Sequence, residues 1–247
     1  MLFRPLHYFA LFSEAVLDLF SPPVCFLCGE PTHRKRRALC WECFRKPILG
    51  AEEKLCVVCS ARMTGAGDTC GECEHERPAF LQARAAALFA GDVRKLVHLY
   101  KYRRSLWLCN DFSDWLHGCF ITHYNNVAFD CIVPVPVTIR KLLQRHYNQS
   151  EFLARELGRR ISLPCLPRAL ARRGVTNTQT TLTRKERAAN VACVFRVRQP
   201  RKIKGKNILL LDDVFTTGAT ANACAHALRR AGAKSVHVIT VARGMLD

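Results

Sequence analysis

The chain has 247 residues, 49% of them hydrophobic and 9% aromatic, and a formal net charge of +18. That length suits one sizeable domain with a smaller module, and the composition belongs to a globular chain rather than a disordered one. No stretch nears the roughly 18 uncharged apolar residues that a membrane-crossing helix needs, so no transmembrane span is expected.

The first element is MLFRPLHYFALFSEAVLDLF, residues 1–20. Glu14 and Asp18 stand where a signal peptide needs an uncharged core, and no small-residue cleavage site follows. Phe9, Phe12, Val16 and Leu19 recur at helical spacing, which predicts an amphipathic helix. Such a helix can pack on its own protein, the commoner outcome, or lie on a membrane surface.

Residues 21–80 read as a separate zinc module. Eight of the 14 cysteines form four Cys-x-x-Cys pairs there: Cys25/Cys28, Cys40/Cys43, Cys56/Cys59 and Cys70/Cys73. Two residues between cysteines make a tight knuckle that aims both thiolates at one metal, and two knuckles complete a tetrahedral site. Within consecutive sets 11 and 10 residues separate the pairs, so one unit occurs twice at a period of about 30. Four thiolates leave no open coordination position, so the zinc is structural. The spacing leaves open whether the sets are sequential or interleaved. Redox Cys-x-x-Cys motifs differ, usually occurring singly at the start of a helix in a βαβ context. The scattered Cys109, Cys119, Cys131, Cys165, Cys193 and Cys224 read as small buried hydrophobes. Metal thiolates beside lone thiols imply a reducing, cytoplasmic setting.

From residue 81 to 247 the pattern is α/β. ARAAALFA (83–90) reads as a strand, VRKLVHLYKY and LWLCNDFSDWLHGCF as helices, and DCIVPVP (130–136) as a buried strand ending in a proline-punctuated loop. RHYNQSEFLARELGRR (145–160) has helical periodicity. Residues 168–200, rich in Thr and Arg with little periodicity, read as a mobile functional loop. NILLLDDV (207–214), ATANACAHALRRAG (219–232) and KSVHVITVA (234–242) follow as strand, helix and strand, a βαβ unit of a parallel sheet. Charge is uneven along this plan. Residues 1–80 are neutral, whereas 140–206 carry 18 basic and 3 acidic side chains, a surface that attracts polyanions.

ILLLDDVFTTGAT, residues 208–220, sits at the strand-to-helix junction where open parallel sheets bind ligands. Thr216, Thr217 and Thr220 offer hydroxyls, Gly218 permits positive φ, and the helix N-terminus favours an anion, which together make a phosphate cup. Asp212 and Asp213 would repel phosphate, so they suit sugar hydroxyls, directly or through Mg²⁺. Phosphate cup and carboxylates together describe a ribose 5-phosphate. Neither a Walker loop nor a Gly-x-Gly-x-x-Gly fingerprint is present.

Over all thirteen positions this stretch resembles the 5-phosphoribosyl-1-pyrophosphate (PRPP) signature of type I phosphoribosyltransferases. With the cysteine knuckles, VRKLVHLYKYRR, CIVPVP, RHYNQSEFLARELG and ALARRGVTNTQTTLTRKERAANV, residues 25–243 resemble the ComF branch of that superfamily, associated with natural competence and DNA uptake. The resemblance implies a phosphoribosyltransferase-like parallel sheet flanked by helices, preceded by the zinc module. It implies that Asp212 and Asp213 bind the ribose hydroxyls, that Thr216, Thr217, Gly218, Ala219 and Thr220 bind the 5-phosphate, and that Val214 and Phe215 belong to the same PRPP site. Pro134, Val135, Pro136 and Val137 would sit at the pyrophosphate, and Arg184, Lys185 and Arg187 in a flexible loop; Asp212, Asp213, Arg184 and Lys185 are the candidate catalytic groups. The family usually reads Arg-Gly-Phe-Asn-Gln where this chain has Arg145-His146-Tyr147-Asn148-Gln149, a departure at His146.

The implied function is a competence protein for DNA uptake in natural transformation. It would bind PRPP or ribose 5-phosphate with Mg²⁺, and single-stranded DNA or machinery partners such as a helicase. The expected basic surface comprises Arg140, Lys141, Arg145, Arg172, Arg173 and Arg187. The alternative is an active phosphoribosyltransferase using PRPP and Mg²⁺ on an unidentified nucleobase-like acceptor, although no acceptor site is legible. Peripheral contact with the inner face of the cytoplasmic membrane is open to the N-terminal helix.

Overall fold

The computed structural model describes residues 23–32, 37–48, 54–63, 66–102, 105–145, 147–172 and 194–244. The helix expected over 1–20 lies outside the described residues, as do Arg173, Arg184, Lys185, Arg187, His146 and Cys193. The chain divides into two compact units, one ending at Pro47 and the other beginning at Ile48.

In the first unit a knuckle closes when Cys25 N–H donates to Glu30 O at 2.7 Å and Gly29 N–H to Cys25 O at 2.8 Å, beside a bridge between Val24 and Pro31. Helix α1 (Trp41–Arg45) then starts at Cys40, whose sulfur accepts from Cys43 N–H at 3.5 Å. The second unit opens with the same figure, Cys56 N–H donating to Ala61 O at 2.8 Å and Ser60 N–H to Cys56 O at 2.9 Å, with Leu55 bridged to Arg62. Its short helix α2 (Gly71–His75) starts at Cys70. The sequence period is therefore a structural repeat. Both knuckles need a left-handed residue at the same place, Gly29 at φ 77° and Ser60 at φ 58°. Serine is strained there, but its Oγ donates to Ala83 O at 2.7 Å and accepts from Arg84 Nη1 at 3.1 Å, fastening the second knuckle to the strand that follows.

The sheet uses β1 (Gln82–Leu88), β2 (Cys131–Pro134), β5 (Asn207–Phe215) and β6 (Ser235–Arg243) in the order β1-β6-β5-β2, all parallel. Continuous apolar runs suit β5 and β6 to the centre of the sheet: Ile208 to Leu211 are fully buried, and every residue of β6 is buried. Connecting them are α3 (Gly91–Tyr102), α4 (Cys109–Tyr124), α5 (Ile139–Arg145), α6 (Gln149–Arg160) and α7 (Ala219–Arg230). α4 and α6 pack on each other and on the sheet, while α7 packs on β5 and β6. The stretch 168–200 is not irregular at its ends: β3 (Leu170–Arg172) and β4 (Phe195–Val197) pair antiparallel around residues outside the described set.

Helix α6 begins at Gln149, four residues later than periodicity predicts, because Asn148 caps it: the backbone at Asn148 is extended and its side-chain oxygen accepts from Ser150 N–H at 3.2 Å. Cys56, Val58, Cys59 and Cys73 share one core with Phe80, Leu210, Phe215, Leu228 and Val238, so the second cysteine set packs as part of the α/β unit. Among the described residues no helix is long and apolar enough to cross a membrane.

Candidate functional site

The carboxyl ends of β2 and β5 lie side by side, with Pro134 paired to Leu211 and Val135 N–H donating to Leu211 O at 2.9 Å. This register sets the turn Pro134–Val137 beside Asp212 and Asp213. Asp212 Oδ1 accepts from Ser150 Oγ and from Asp213 N–H, both at 2.9 Å. Asp213 Oδ1 pairs with Lys101 Nζ at 2.8 Å, and both side chains are largely buried. Burial, then the neighbouring Asp213 carboxylate, push Asp212 up to about 7, against the opposing pull of its hydrogen bonds and of Lys101. One acid is thus neutralised by a cation and the other titrates near neutrality.

Neither partner of these acids is local. Lys101 comes from the end of α3 and Ser150 from the first turn of α6. A hydrogen-bond network holds those two ends together: Tyr147 Oη donates to Tyr100 O at 2.7 Å, Gln149 Nε2 to Lys101 O at 3.1 Å, and Tyr100 Oη to Gln149 O at 3.1 Å. Asn148 Nδ2 adds a bond to Val135 O at 3.1 Å. Three of the segments that carry the ComF resemblance, around Lys101, Val135 and Asn148, therefore meet in space. Their shared job is to hold Lys101 and Ser150 under the two aspartates.

The loop Thr216–Gly218 leads into α7. Gly218 takes φ 78° and ψ −3°, its Cα against the ring of Phe215, and no side chain caps the helix. The amides of Ala219, Thr220 and Ala221 precede the first helical bond, which Asn222 N–H makes to Gly218 O at 2.8 Å. Thr216, Thr217, Ala219 and Thr220 are exposed, so amides and hydroxyls face solvent at a positive dipole end.

The structure thus brings together Pro134–Val137, Asp212, Asp213 and residues 214–220 at the carboxyl ends of β2 and β5. Arg140 and Lys141 are exposed on α5, but Arg145 is corrected: only 7% exposed, it stacks 4.7 Å from the ring of Tyr102, and its Nη1 donates to Gln149 Oε1 at 3.3 Å. Its position in the network explains the burial. Arg172 is half-buried over Phe195.

Each cysteine set, Cys25/Cys28/Cys40/Cys43 and Cys56/Cys59/Cys70/Cys73, gathers its four sulfurs within 4.8 Å of one another, so the sets are sequential. Cys28 and Cys40 sulfurs lie 3.7 Å apart and Cys59 and Cys70 3.6 Å, close to the roughly 3.8 Å edge of a tetrahedron with Zn–S bonds of about 2.3 Å. Burial works against a thiolate at Cys25 and at Cys56, yet backbone N–H donors outweigh it and hold both at about 7. Cys43 and Cys73, with burial and neighbouring thiols against them, are pushed far up. Only a cation can hold all four charges, and zinc displacing the protons is the fitting one. Its role is structural.

These features define a class first: residues 149–246 match the phosphoribosyl transferase domain family and residues 16–76 the double zinc ribbon domain family. The chain thus carries one segment similar to a phosphoribosyl transferase domain and one similar to a double zinc ribbon. In particular it is similar to the DNA utilization protein YhgH of Escherichia coli (strain K12), with 29% identity over 91% of this chain and 99% of the relative. Competence protein F of Haemophilus influenzae is 25% identical, over 89% of this chain and 96% of the relative. Competence protein ComFC of Bacillus subtilis is 26% identical, over 83% and 84%. These are homologues over most of the chain, and the resemblance to the ComF family holds.

Proposed function

We propose that the edge formed by β2, β5 and the start of α7 binds the ribose 5-phosphate part of PRPP, in a protein with a ComF-like role in DNA uptake. The observation that carries this is the pairing of Asp212 with Ser150 and of Asp213 with Lys101 beside an uncapped helix N-terminus. Carboxylates held rigidly from behind accept sugar hydroxyls without reorganising, and Asp212 Oδ2, which carries no hydrogen bond among the described residues, is free to do so. The threonines and amides of residues 216–221 take the phosphate. Mg²⁺, when bound, would offset the pyrophosphate charge; Asp212 and Asp213 are the residues suited to hold it through the hydroxyls.

Calorimetric titration with PRPP and Mg²⁺ tests the reading. Saturable binding that Asp213→Ala weakens at least tenfold supports it, and undiminished binding in that variant overturns it. Pyrophosphate release across a panel of nucleobases asks whether the ligand is also consumed.

Single-stranded DNA is the proposed polymer partner, drawn to the basic stretch 140–206, where Arg140 and Lys141 stand exposed. Such binding depends on counterion release, so affinity should fall steeply with salt, and less steeply after Arg140→Gln with Lys141→Gln. Salt-insensitive binding would remove this partner. Machinery proteins and a contact of residues 1–20 with the inner membrane face belong to the same proposed role.

A further inference from the structure

The second unit has an open cavity of about 470 Å³ between the cysteine ribbon and the start of α7, lined by Thr217, Gly218, Ala219 and Arg243 among others. Arg243 is a residue that sequence patterns do not single out. As the last residue of β6 it stands opposite Phe215 in the register, and its guanidinium lies 4.7 Å from the centre of that ring. Only 3% of it is exposed. Nη2 lies 3.7 Å from Cys59 Sγ, while Nη1 is buried with no hydrogen-bond partner.

A buried guanidinium keeps its charge, and an unpaired N–H on it is costly unless something answers it. Cys59 answers one side: a tetrathiolate zinc site carries a net negative charge, and its sulfur accepts from Nη2. Nothing among the described residues answers Nη1. The same cavity is lined by Thr217, Gly218 and Ala219 of the phosphate cup, where the Ala219 amide makes only a long bond to Thr217 Oγ1 at 3.4 Å.

We propose that Arg243 binds the phosphate group of the sugar-phosphate ligand, with the Cys59 thiolate and the Phe215 ring holding its guanidinium in place. The inference rests on the ribose-phosphate reading and adds to it a cation and a purpose for the second zinc ribbon. Glu72, His75 and Glu76 also line the cavity, but all three are exposed on the ribbon, where water and salt screen the acids. Arg243 is shielded from that screening, so its charge prevails at the cup. The ligand recognised is a phosphate monoester on a sugar rather than the free sugar.

Titrating wild type, Arg243→Gln and Arg243→Lys with ribose 5-phosphate, and separately with pyrophosphate, tests this, with zinc content measured on each. Loss of a charge-assisted hydrogen bond predicts ribose 5-phosphate binding about ten- to a hundredfold weaker in Arg243→Gln, with pyrophosphate affinity unchanged. Arg243→Lys, which keeps the charge but not the fork, should fall between; it decides the matter if Arg243→Gln loses zinc. Unchanged ribose 5-phosphate affinity in zinc-loaded variants, or equal loss of both ligands, overturns the inference alone. No ribose 5-phosphate binding by wild type overturns the site reading itself.

Discussion

Asp212 carries an unusual load for a single side chain. Its carboxyl accepts two hydrogen bonds yet titrates near 7, because burial and the adjacent Asp213 outweigh them. The folded state therefore holds the proton more tightly than the unfolded chain. Stability is fully present below the ordinary carboxylate range and is lost as pH rises from there to about 7. Asp212→Asn keeps an acceptor for Ser150 and for the Asp213 amide but cannot ionise. Urea denaturation should find it near wild type at about pH 4 and more stable by on the order of 1–3 kcal/mol at about pH 8. A gap that fails to widen over that range would contradict the assignment. The variant should bind ribose phosphates less well, the trade expected where a site is built at the expense of stability. The acids were legible in the sequence because both are local to one motif. Lys101 and Ser150 were not, since they meet the acids only through the fold, and Arg145 misled because a basic stretch does not reveal which of its cations turns inward.

Among the elements, the junction between β5 and α7 is the most demanding. Gly218 needs φ 78°, and a Cβ there would come within 2.5 Å of Phe215 Cζ, a ring wedged beside Arg243. Gly205 has nearly the same φ, 74°, but a Cβ added there would meet nothing within 4 Å. The pair separates backbone strain from the clash. Gly205→Ala should cost about 1 kcal/mol, and Gly218→Ala about 2–4 kcal/mol together with loss of ribose 5-phosphate binding. Equal midpoints in denaturant would show that the ring relaxes freely. Periodicity identified β5, α7 and β6 nearly to the residue, since continuous apolar runs and a helical stripe are strong local signals. It placed the start of α6 too early because periodicity carries no sign of the Asn148 cap, where Tyr147 and Asn148 instead anchor the chain to α3 and β2. β3 and β4 escaped because three-residue strands carry no period at all.

At the scale of the molecule, the two ribbons are alike in sequence but differ in what they serve. The first closes within the unit that ends at Pro47, whereas the second contributes Cys56, Val58, Cys59 and Cys73 to the core of the α/β sheet. Cysteine spacing made both zinc sites legible, but it could not distinguish these roles, because only tertiary packing joins Cys59 to Arg243 and Ser60 to β1. Zinc at the second set therefore supports the sheet directly. Cys56 is its most telling ligand: fully buried, held at about 7 by backbone donors, it is suited to be the first thiolate offered to the metal. Cys56→Ser keeps the shape but replaces the soft ligand by a hydroxyl that zinc binds poorly. Since metal-binding energy at such a site is folding energy, calorimetry should find the α/β transition lowered by on the order of 10 °C, with one set's zinc missing by metal analysis. Chelation of the wild type should move the same transition in the same direction. If the zinc of the second set is lost and that transition stays put, the ribbon is an appendage to the sheet, not part of its core.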